Sequence, residues 1–152
     1  MWYRVFGVKS EMVQPALLQE HLRQFGVDVP LQVRGDDLGW TACTLQLAAS
    51  STPLQIDRYL TEEDDIRDDL DTWAAWLETQ EHNANHGKLM QHVISTRQLF
   101  TLRRPLDSAD ENRLNQVCEV IVQFLAKQSE GIYQIDGRGF FAADGTMLLQ
   151  EF

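Results

Sequence analysis

The chain has 152 residues, 13 Lys/Arg against 23 Asp/Glu and a net charge of −10, with a pI near 4.7. That length favours one domain, which buries roughly 68–70% of its unfolded surface and needs no covalent staples. The acidity, with no Lys/Arg-rich stripe, excludes the electrostatic footprint of a nucleic-acid or anionic-membrane binder, so neither partner is expected.

Trp2 to Val8 is rich in aromatic and β-branched residues and reads as an opening strand. Met1 to Met12 lacks the charged and apolar regions of a leader, and no run approaches the 18 apolar residues that span a bilayer, so the expected location is cytoplasmic. Pro15 suits a helix first turn, Leu17, Leu18, Leu22 and Phe25 recur at helical spacing, and Gly26 stops the run, which predicts a helix over about 14–25. Leu31 to Arg34 starts a second strand. After the turn cluster Gly35 to Gly39, Cys43, Leu45 and Leu47 alternate with polar residues, so the two strands predict a hairpin. Ser50 to Pro53 break the chain, and Leu54 to Leu60 makes another short strand.

The next segment carries the sharpest asymmetry. Residues 57–81 hold ten Asp/Glu and two Arg, which is −8 of the chain's −10. Thr61 is placed as helix N-cap with Asp64 as its capping-box partner, and acids in the first turn complement the helix dipole. Ile66, Leu70, Trp73 and Leu77 fall within about 60° on the helical wheel, a core stripe, with Asp64, Asp68 and Asp71 on the far side. Trp76 lies about 80° from the stripe centre, at the edge of the buried face.

Asn83, Asn85 and Gly87 form a loop, and Leu89, Met90, Val93 and Ile94 suggest a short helix. Leu99 to Leu102 reads as a strand closed by Pro105. Ser108 to Glu111 is a capping box opening the longest helix, whose core face is Leu114, Val117, Cys118, Ile121, Phe124 and Leu125, with Gly131 at its end. Two Asp-Gly turns, Asp136-Gly137 and Asp144-Gly145, punctuate the remainder and predict a β-meander. The fold class is α+β: one domain over residues 1–152, a mainly antiparallel sheet with helices packed on one face. Two degenerate βαββ-like halves, Trp2 to Tyr59 and Leu99 to Leu149, fit the element order, without a residue-level repeat.

Glu78, His82 and His86 stand four apart and His92 adds a fourth donor, but Asn83, Asn85 and Gly87 interrupt the helix that would align them, so loop histidines are the reading and no metal is expected. A calcium loop beginning at Asp69 would put Trp73 at a ligand position and Ala74 where its glycine belongs. Cys43 and Cys118 sit in apolar-periodic segments and read as reduced core thiols, and no nucleophile elbow accompanies them. Gly137 and Gly139 form a lone Gly-x-Gly in a turn, so no phosphate or cofactor site is inferred. Asp36, Asp37, Asp136 and Asp144 are each explained by turn chemistry.

The passages TWAAWLE, HVISTRQLFTLRRP and IYQIDGRGFFAADGTMLLQE, within most of the chain's length, are similar to a family of small uncharacterised bacterial proteins. The resemblance implies a bacterial intracellular protein and brings no catalytic residue. The functional expectation from the residues is a non-enzymatic interaction or regulatory protein. Its acidic helix face (Asp64, Asp65, Asp68, Asp71, with Trp76 as anchor) would meet a basic protein surface. The alternative is a small hydrolase or transferase with a cleft built from the Asp-bearing loops and His92. Four tryptophans and seven phenylalanines exceed what one core face needs, so a homodimer covering Trp2, Trp40 or Trp76 is a further expectation.

Overall fold

The computed structural model describes residues 1–49, 51–81, 83–106 and 110–151. Ser50, His82 and the Ser108 cap lie outside the described residues. The elements run β1 (Trp2–Gly7), α1 (Pro15–Gln24), β2 (Gln32–Asp36), β3 (Gly39–Leu45), β4 (Leu54–Leu60), α2 (Arg67–Glu78), α3 (His86–Ile94), β5 (Gln98–Arg103), α4 (Glu111–Gln128), β6 (Ile132–Ile135), β7 (Gly139–Ala142) and β8 (Met147–Gln150). All the strands join one antiparallel sheet in the order β2-β3-β4-β5-β1-β6-β7-β8. The α+β class and the C-terminal meander are as the sequence predicts.

Strand alternation sorts the core into two layers. Val5 pairs with Phe100 and Tyr133, and all three point to one side; Phe6, Leu99 and Ile132, one residue along each strand, point to the other. On the first face α1 and α4 pack through Leu18, Leu22, Val117, Cys118, Ile121 and Leu125. On the second, α2 and α3 pack through Leu70, Leu77, Leu89 and Val93. The helices therefore divide between the two faces, which corrects the expectation of one covered face. The central strands have apolar residues at both parities, and two buried sides need two helix layers.

Coverage of the second face is partial. Its apolar residues, Phe6, Leu99, Ile132, Phe140 and Leu149, belong to the β5-β1-β6-β7-β8 half. On β2 to β4 the same face presents Gln32, Arg34, Thr44, Gln55, Asp57 and Tyr59, continued by Thr101 and Arg103 of β5. An antiparallel sheet tolerates one polar, watered side, and this composition matches it.

Both halves have the element order βαβββ, but they are laid in opposite spatial order: the first meander reaches the centre with its last strand, β4, and the second with its first, β6. A duplicated βαββ unit is thus not reproduced in strand arrangement. The outer edge β8 is capped by its own chain, since the side-chain amides of Asn83 and Asn85 donate to Leu148 O at 3.3 and 3.2 Å.

Candidate functional site

The richest polar geometry lies at the sheet end where β1 and β4 finish and β5 begins. Along β4, Leu54 and Ile56 point into the α1/α4 core, and the same parity carries Arg58 inward, leaving it 4% exposed. Its guanidinium donates from Nε to Gln98 Oε1 (2.8 Å), from one Nη to Leu38 O (3.2 Å) and Trp40 O (3.1 Å), and from the other to Ser10 O (3.3 Å). It also lies over the Trp40 ring at 5.9 Å. Gln98 in turn donates to Lys9 O and Glu11 O. No carboxylate pairs with this cation among the described residues; burial pushes its pKa down, and neutral oxygens solvate it in place of water. The consequence is mechanical. One side chain ties the segment after β1, the β2/β3 turn and the end of β4 into a fixed rim.

The acidic segment emerges from that rim in a conformation the sequence reading missed. Thr61 to Asp65 is a turn, and α2 starts at Arg67 with Ile66 as a cap that makes no side-chain bond. Thr61 is buried and donates its hydroxyl to Thr96 O at 2.8 Å, which removes it from helix capping. The Asp64 carboxylate accepts from Leu60 N at 2.6 Å, and Asp65 takes a φ of 54°, the left-handed region that an aspartate tolerates better than most residues. Asp64 and Asp65 are therefore turn residues, not members of a helix face. Asp68, Asp71 and Glu78 are exposed on the outer side of α2.

Trp76, expected as a free anchor, is half-buried. Its ring sits 6.1 Å from Phe140 and 5.9 Å from Trp73, and Trp73 packs on Phe6 and over the Arg4 guanidinium. The fourth buried position of the stripe is Ala74, where the small side chain lets α2 lie against the sheet and α3, while Trp73 is displaced to the rim.

Between the turn, the β2/β3 hairpin and the end of α3 lies a groove of about 740 Å³. Leu38, Leu60, Val8 and Ile94 give it apolar walls, and Leu38 and Ile94 are 53% and 45% exposed. Glu62, Glu63, Arg67 and Arg97 stand around it. Arg67 is engaged, bridging Glu62 at 3.2 Å and donating to Ile94 O at 2.9 Å. Among the described residues no ion pair involves Glu63, Asp64, Asp65, Asp68, Asp69 or Asp71, although Asp64 and Glu63 act at longer range on buried Arg58 and favour its charged form. Sequence signals existed for this site: an arginine at the inward parity of LQIDRYL, and a leucine in the GDDLG turn.

The remaining candidates separate. Asp36 accepts from Leu38 N, Asp144 from Thr146 N, and Asp136 is bound by Arg4 (2.7 Å), Gln134 and Trp2 N. Burial alone would raise the Asp136 carboxyl, but those donors hold it below the ordinary aspartate value. Asp36 and Asp144 lie at the same end of the sheet but six strands apart, roughly 25–30 Å, and Asp136 lies at the opposite end beside Trp2. His92 points Nε2 at Phe6 O (2.9 Å) and His86 points Nε2 at Leu77 O (2.7 Å). These histidines and aspartates are not brought to one cleft, and among the described residues no three His, Cys, Asp or Glu converge as metal ligands.

Cys43 and Cys118 are free and buried, with burial pushing each thiol up to about 12, far from the thiolate a nucleophile needs. Among the described residues no helix is long and apolar enough to cross a membrane. No protein-family model, curated protein or solved structure matches the chain.

Proposed function

We propose that the protein is a non-enzymatic binding module that holds a basic, aliphatic-bearing peptide segment of a partner protein in the groove between the acidic turn and the β2/β3 hairpin. The observation that carries this reading is the juxtaposition of exposed Leu38 and Ile94 with Glu63, a lining carboxylate that has no ion pair among the described residues and stands beside the Glu62–Arg67 pair. Carboxylates at the rim steer a cationic segment, and the aliphatic walls desolvate one side chain as an anchor. Arg58 contributes by fixing Leu38 through its carbonyl, so the pocket exists before the partner arrives and little ordering cost remains. The anchor is thus the Leu38/Ile94 pair, in place of Trp76.

A random peptide display library selected on the protein tests this. The expected consensus joins Leu, Ile or Val to flanking Lys or Arg, and binding of the selected peptide weakens by at least about tenfold, or 1.4 kcal/mol, in Leu38→Asp and in Glu63→Lys. Both positions are exposed, so the fold is kept. An acidic consensus, or affinity unchanged in both variants, sinks the reading.

A further inference from the structure

The second face of the sheet is a step: α2 and α3 stand on one half, and the β2 to β5 half is bare. Two shallow hollows occupy the bare half, of about 370 and 540 Å³, one lined by Arg34 and Tyr59 and the other by Arg103 and Trp2, with Asp57 shared between them. Arg34 and Arg103 are exposed and have no ion pair among the described residues, in a chain of net charge −10. Arg103 only rests over Trp2, at 5.6 Å.

We propose that two copies of this chain interlock about a twofold axis, each laying the outer row of its α2 across the bare half of the other's sheet. A twofold axis in the plane of the step turns each raised half onto the other's vacant one, so the contact is self-complementary and closes at two copies. The charged groups can pair across the contact. Asp68, Asp71, Ala75 and Glu78 form one exposed row on α2, carrying three negative charges, while the bare half presents Arg34 and Arg103, with Asp57 between them and Asp64 at the edge of the Arg34 hollow.

The spacings agree too. Arg34 and Arg103 are three strands and two residues apart, roughly 16 Å, and Asp68 to Glu78 spans ten residues, roughly 15 Å. Asp57 lies about midway, where the helix presents Thr72 and Ala75 and no carboxylate; its own charge is held by Gln55 Nε2 at 2.9 Å. The interface uses residues outside the groove and stands independently of the peptide-binding proposal.

Sedimentation equilibrium of the full chain at low salt tests it, and the expected mass is twice the 17.5 kDa of one chain. Reversal on either side, Arg34→Glu with Arg103→Glu or Asp68→Arg with Glu78→Arg, yields monomer with an unchanged far-UV spectrum, because all four side chains are exposed. Combining the four substitutions re-pairs the charges and restores the dimer. A parent protein that is monomeric at about 100 μM, a dimer that survives either reversal, or a combined variant that stays monomeric overturns the interface. Peptide capture by the monomeric variants is expected to persist, which separates this test from that of the groove.

Discussion

Arg58 makes the most exposed bet about how the groove is built. Replacing it with Ala removes four hydrogen bonds from a buried cation to Gln98, Leu38, Trp40 and Ser10. Bonds to charged groups contribute about 1.5–3 kcal/mol each, but four from one side chain do not add. Removing the charge also returns its own desolvation cost, several kcal/mol, while the stranded acceptors lose their donors. The net expectation is a loss of about 3–5 kcal/mol, a large part of the 5–15 kcal/mol that holds a domain. Arg58→Met keeps the stem over Trp40 and should lose about 2–4 kcal/mol, since the polar cost dominates.

Urea titration gives the global number, and amide exchange across Leu38 to Trp40 shows whether the hairpin tip loosens first. If Arg58→Met unfolds within about 0.5 kcal/mol of the parent, the range of an ordinary surface change, the carbonyls are satisfied without the cation and the rim is not held as described.

Two further outcomes follow from particular contacts. His92 is kept neutral chiefly by burial, which pulls its pKa below the ordinary 6.5 despite the bond to Phe6 O. The unfolded chain then binds that proton more readily, so the stability is complete above about pH 6.5 and is lost as pH falls through the lower folded value. Urea midpoints compared at pH 7.5 and pH 5.5 should fall on acidification, and the fall should be smaller in His92→Gln. Gly139→Ala should cost at least about 3 kcal/mol, because the glycine has a φ of 134° and a Cβ there would overlap the carbonyl oxygen of Leu149. A thermal midpoint unchanged by that substitution would contradict the β7/β8 register.

What could be read from the sequence was local. The helix over 14–25 is found at Pro15–Gln24, and the core face of α4 is the one its spacing predicts, with Phe124 at the margin stacked on His21. The Asp-Gly pairs fall in the β6/β7 and β7/β8 connections, because turn chemistry depends on neighbours in the chain. What was not legible depends on distant partners. Thr61 looks like a helix cap until Thr96, 35 residues away, takes its hydroxyl. The division of helices between two faces is hidden for a similar reason: an amphipathic helix shows that it has a buried side, but not which side of the sheet receives it. Arg58 was visible only as an inward-parity charge in a strand, and its acceptors come from three separate segments of the chain.

The asparagine clasp on Leu148 bears on what the sheet edges offer to another chain. An open sheet invites strand-on-strand growth from its edges, and here the two edges are defended differently. On β8 the amides of Asn83 and Asn85 take the Leu148 carbonyl, while β2 carries Arg34 and Asp36 and breaks register between Arg34 and Gly35. Neither offers a flat, apolar template to another chain. Growth in the plane of the sheet is disfavoured at both ends, which leaves the faces, and the proposed twofold contact, as the route by which copies would meet.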